Sequence, residues 1–82
     1  MNKKTFVEVV NIIDERRIFL EGRINKYNER IDTIKEEFEL KKEDIKEINK
    51  LNLKIFEAKE ELRELALELE KSLNDYIAYY HK

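Results

Sequence analysis

The sequence predicts an all-α protein: an antiparallel hairpin of two long coiled-coil-like helices that dimerises into a four-helix bundle. Three observations point there. The chain has 82 residues with no proline, one glycine and no cysteine, and 44% of it is charged, which is the composition of long helices and coiled coils. Apolar residues recur at alternating steps of three and four, the stripe of a slightly underwound helix. That stripe thins at the middle of the chain and reopens in a shifted phase.

The first stripe runs through Phe6, Val10, Ile13, Leu20, Ile24, Tyr27, Ile31, Ile34 and Phe38, interrupted only by Arg17. Thr5-x-x-Glu8 reads as a capping box, so the first helix is expected to start near Phe6 and to run over about residues 5–40. The phase passes unbroken across Gly22, which places that glycine inside the helix, at a cost of about 1 kcal/mol relative to alanine.

After Phe38 the pattern thins through Glu39-Leu40-Lys41-Lys42-Glu43-Asp44. A turn is expected at about residues 41–44, with Asp44-x-x-Glu47 capping a second helix over about 45–80. The second stripe passes through Ile48, Leu51, Ile55, Ala58, Leu62, Leu65, Leu69, Tyr76 and Tyr79, with Ser72 its one polar member. The whole reads as a single helical domain, residues 1–82.

Two other arrangements compete with the hairpin. One long helix in a parallel dimeric coiled coil extends the first stripe through Ile45, Ile48, Ile55, Leu62, Leu69, Leu73 and Tyr76, but it buries Arg17, Lys41, Asn52 and Lys59 in the seam. Buried unpaired charge is costly. A three-helix form would break at Gly22. Folding back about residues 42 and 43 moves Lys41, Asn52 and Lys59 to the edges or the turn. The facing pairs are then Phe6 with Tyr79, Val10 with Tyr76, Leu20 with Leu65, Ile24 with Leu62, Tyr27 with Ala58, Ile31 with Ile55, Ile34 with Leu51 and Phe38 with Ile48. The absence of glycine and proline from the turn speaks against this arrangement.

The charges cancel locally as well as globally, at 17 basic against 19 acidic residues. No segment offers the one-sided positive field that nucleic acid or an anionic membrane requires. No apolar run has signal-peptide length or approaches the roughly 20 residues of a membrane span, so a cytoplasmic protein is expected. Glu57, Glu60, Glu61, Glu64 and Glu68 form an acidic ridge, yet His81 is the one histidine and basic residues are interleaved. That is a solvated face with i,i+4 pairs rather than a metal site. With no phosphate loop, no cysteine and no internal histidine, the chain is expected to be no enzyme, with no cofactor, catalytic residue or small-molecule substrate. Arg17, in the seam, is expected to bridge Glu68 or a carboxylate of a partner.

The apolar residues left outside the seam point to protein binding. Ile12 and Phe19 sit roughly 130° from the seam centre, Ile18 also lies off it, and Leu67 is similarly placed on the second helix. Residues 76–80 are apolar all round. The expected partner-binding residues are Val9, Ile12, Ile18, Phe19, Leu67, Ile77, Tyr79 and Tyr80, near the open end of the hairpin, with Val7 beside them. The expected function is a small coiled-coil adaptor or regulator acting through homodimerisation and binding of another protein. The alternative is a small inhibitor, of the kind mobile elements encode, that blocks a host enzyme through the same apolar end.

The tail Leu73-Asn74-Asp75-Tyr76-Ile77-Ala78-Tyr79-Tyr80-His81-Lys82 resembles the closing helix of small two-helix sporulation-regulatory aspartyl-phosphate phosphatases. That family carries Ser-x-x-x-Asp there. Over about 14 aligned residues this chain has Glu70 and Asn74 at the two signature positions, and the nearby Ser72 and Asp75 stand three apart instead of four. The resemblance implies a phosphatase-like regulator without the phosphatase activity.

Overall fold

A computed structural model describes residues 1–81; Lys82, the last residue of the tail, lies outside them. Two helices, α1 (Lys3–Lys35) and α2 (Lys42–Tyr80), pack along their length as an antiparallel hairpin measuring 64 × 15 × 12 Å. The two-helix hairpin is thus the architecture, and α1 continues through Gly22 without a break. Among the described residues none adopts a positive φ. A six-residue connection, residues 36–41, therefore reverses the chain without any left-handed residue, and no turn glycine is needed.

Both helices begin three residues or so before the expected caps. Asn2, in extended conformation, accepts from the Thr5 N–H through Oδ1 at 2.8 Å, so Thr5 lies in the first turn instead of capping it. Asparagine is at least as good an N-cap as threonine. At α2 the Asp44 carboxylate accepts from the Lys41 N–H at 2.9 Å, which makes Asp44 the third helical residue and moves the helix start back to Lys42. Glu43 and Asp44 in that first turn also suit the positive end of the helix dipole. At the other end of the connection, Glu36 N donates to Asp32 O and Glu37 N to Ile34 O, which closes α1 five residues short of the expected end.

The seam buries Ile13, Leu20, Ile31 and Ile34 of α1 against Ile55, Ala58 and Ser72 of α2. Phe6, Val10, Ile24, Tyr27, Ile48, Leu51, Leu62, Leu65, Leu69 and Tyr76 are half-buried along it. These are the two expected stripes, with two exceptions. Phe38, expected against Ile48, falls in the connection and is 107% exposed; Tyr79 is exposed beyond the start of α1.

The register also differs from the expected pairing. The reversal is centred between Phe38 and Glu39 instead of at 42 and 43, so along the ion-paired flank α1 meets α2 about eight residues earlier, roughly 12 Å along the helix. Phe6 stacks on Tyr76, with ring centroids 4.6 Å apart, rather than on Tyr79. Arg16 pairs with Glu61 and Arg30 with Glu47. Arg17 does not reach Glu68: it stays half-exposed and pairs within its own helix, with Glu21 at 3.3 Å and Asp14 at 3.5 Å. That arrangement spares the guanidinium from burial, and the slipped register has carried Glu68 to the level of Val9 and Ile12.

Three substitutions test this packing. A Cβ at Gly22 would meet nothing within 4 Å, so Gly22→Ala is expected to stabilise the helix by about 1 kcal/mol, read as a higher thermal midpoint by circular dichroism. Ile34, with 0% exposure, should lose about 2–5 kcal/mol on truncation to alanine, whereas Phe38→Ala should stay within about 0.5 kcal/mol of the parent chain. A large loss at Phe38 would restore the longer first helix.

Candidate interaction surface

One flank of the hairpin carries a ladder of facing side chains. Positions 16, 23 and 30 on α1, a heptad apart, meet positions 61, 54 and 47 on α2 in reverse order. The outer rungs are forked ion pairs. Arg16 donates through Nε and Nη2 to both carboxylate oxygens of Glu61, the second at 2.9 Å, and Arg30 does the same to Glu47 at 2.9 and 3.3 Å. Hydrogen bonding to the guanidinium lowers both carboxyl pKa values below the usual carboxylate range and raises both arginines further. The middle rung, Arg23 and Lys54, has like charges, and both cations sit over the Tyr27 ring, 5.4 and 5.8 Å from its centroid. The ring's negative face offsets part of their repulsion.

One hollow lies between the Arg16 and Arg23 rungs and a second on the open-end side of the Arg16 rung; they share Arg16 and so form one groove. The larger, about 360 Å³, is lined by Phe19, Leu20, Arg23 and Tyr27 on α1 and by Lys54, Glu57, Ala58 and Glu61 on α2. The smaller, about 250 Å³, is lined by Val9, Ile12, Ile13, Leu65 and Glu68. Arg16 and Arg23 flank Phe19, with their guanidinium carbons 5.1 and 5.9 Å from the ring centroid. The floor is apolar, the α1 lip basic and the α2 lip mainly acidic.

The expected partner-binding residues do not form one surface. Val9, Ile12 and Phe19 come together along the groove, with Ile12 66% and Phe19 52% exposed. Ile18 is exposed but lies about 100° around α1 from Phe19, and Leu67 lies about 200° around α2 from Leu65. Ile77 is exposed too and lines neither hollow. Tyr79 and Tyr80 belong to an aromatic cluster at the open end. Tyr80 meets Tyr76 edge-on at 4.8 Å and Tyr79 at 5.7 Å; Tyr80, together with burial, holds the Tyr76 phenol above its usual pKa. Met1 folds back against this end, lining a hollow with Asp75, Ala78 and Tyr79.

Two exposed apolar features escaped sequence reasoning. Phe38 and Leu40 project at the tip of the hairpin, because Phe38 continues the first stripe and was assigned to the seam. Phe56 and Ile45 are exposed on α2; both stand off its stripe, which is the signal that could have found them. The ion-pair ladder was legible as charges at heptad spacing but needed the correct register to become pairs.

Among the described residues no group of three or more His, Cys, Asp or Glu is placed to hold a metal ion, and no helix is long and apolar enough to cross a membrane. Ser72 is buried in the seam while Asp75 is exposed. No protein-family model, curated protein or solved structure matches the chain.

The two forked pairs carry a pH prediction. Their carboxyl pKa values are depressed in the folded state, so the stability they contribute is present above the unfolded carboxylate pKa, about 4.3, and is lost as pH falls through the lower folded value. Replacing Glu47 and Glu61 by glutamine should therefore flatten the loss of melting temperature on acidification below about pH 4.3. An acid limb as steep as the parent's would assign that loss to other groups.

Proposed function

We propose that this chain is a non-enzymatic protein–protein interaction module, a small cytoplasmic coiled-coil adaptor or regulator that works by homodimerisation and by binding a further protein. The observation that carries the reading is the distribution of apolar side chains. Six hydrophobic residues are buried in the hairpin, whereas fourteen large ones are exposed. Of these, Ile12 and Phe19 line one continuous groove with Val9 and Leu65, and contiguous exposed apolar surface of that kind marks an interaction site. Two helices alone cover each seam from one side, and the conformational entropy of ordering 82 residues offsets most of the gain from so small a core. Association removes that deficit by burying the outer faces.

The tip supports the second half of the reading. Phe38, fully exposed beside Leu40, sits at the far end from the chain termini. It remains free when the open end and the flanks are covered, and an exposed aromatic at a helical tip suits insertion into a partner's pocket.

The test is thermal melting over a hundredfold range of protein concentration, paired with sedimentation equilibrium. A dimer coupled to folding gives a midpoint that rises with concentration and a mass of twice the chain. A concentration-independent midpoint at the monomer mass would sink the homodimer reading.

A further inference from the structure

We infer that the interface of this homodimer, whose existence rests on the reading above, is the groove on the ladder flank, occupied by a second copy of the chain about a twofold axis parallel to the hairpin's length. Two features of the groove make it complementary to itself. The first is spacing. The outward apolar residues of α1, Ile12 and Phe19, stand seven residues apart, and the hollows that could receive them are floored by Leu65 and Ala58, also seven apart. Equal spacing on one chain means that two copies can insert both side chains at once, large Phe19 over small Ala58 and Ile12 beside Leu65. That is the isologous contact that a twofold dimer requires.

The second is charge. Along the groove the α1 lip carries Arg16 and Arg23, while the α2 lip carries Glu57, Glu61 and Glu68. An axis parallel to the hairpin lays α1 of each copy over α2 of the other, basic lip on acidic lip, and makes all four neighbouring helices antiparallel. An axis across the hairpin would set arginines against arginines and glutamates against glutamates, which is destabilising. The contact runs from the open end as far as Arg23 and Lys54, where like charges meet. Both open ends then lie side by side, and both tips point the same way.

The experiment combines sedimentation equilibrium with a label distance. Phe19→Asp should raise the dimer dissociation constant about a hundredfold, since each substitution acts twice in a twofold interface, while circular dichroism stays helical. Phe56→Asp, equally exposed on α2 but outside the groove, should change it less than about threefold. The chain has no native cysteine, so Leu40→Cys carries a unique spin label at the tip. Its separation across the dimer should be about 20–35 Å, a few helix diameters. If Phe19→Asp unfolds the chain, Ile12→Lys reads the same contact and should weaken the dimer similarly. A monomeric parent chain would overturn the homodimer and this interface together. A dimeric parent that resists the groove variants, that is broken by Phe56→Asp, or that holds its tips more than about 50 Å apart, would leave the homodimer standing and overturn this interface.

Discussion

A pair of helices can cover each other along one stripe only, and everything else in this molecule depends on that limit. The stripe from Ile13 to Ile34 closes over Ile55, Ala58 and Ser72, and the described residues form no third layer. Every apolar residue more than about one residue-step around either helix stays in water. In a larger fold a neighbouring element would bury Ile12, Phe19, Phe56 and Leu67. Here the same residues are surface, and the surface takes on the composition of an interior.

The charged residues work within that limit. Neither Arg16–Glu61 nor Arg30–Glu47 is buried, so each is worth little as an isolated exposed pair. Their value lies in specificity, because a heptad slip would bring Arg30 near Lys54 or Leu40 instead of Glu47 and leave its fork without a match. Arg17 follows a different course, satisfied by two carboxylates of its own helix, which lets a cation occupy a seam position with no interhelical partner. The cations over Tyr27 are the one rung without charge complementarity. They mark where the groove changes character, from an apolar trough between lips of opposite sign to a cationic shelf on an aromatic ring.

Much of the fold was legible in the chain. Both stripes, the hairpin and the helical phase across Gly22 follow from the spacing of apolar residues, because a period of three and four has one reading on a helix. The buried place of Ser72 was legible on the same basis. Where reasoning from sequence went astray, the cause was common to every case. Thr5 and Asp44 are good N-caps by residue type, yet Asn2 offers a competing cap one turn earlier, and Asp44 acts from the third helical position. Local propensity cannot rank such alternatives when each satisfies the same backbone N–H groups. The misplaced turn then put Phe38 in the seam and set Arg17 toward Glu68.

Sequence by itself determined the helices, the face each turns inward, and the excess of apolar side chains beyond what two helices can bury. Only the tertiary structure decided the register, and with it the ion-pair ladder, the joined hollows and the exposed tip. The physical reason is translational degeneracy. Sliding one heptad stripe along another by seven residues returns apolar side chains to apolar neighbours, so hydrophobic periodicity is nearly blind to the shift. What breaks the tie is the length and capping of six connecting residues, together with forked charge pairs that form at a single offset.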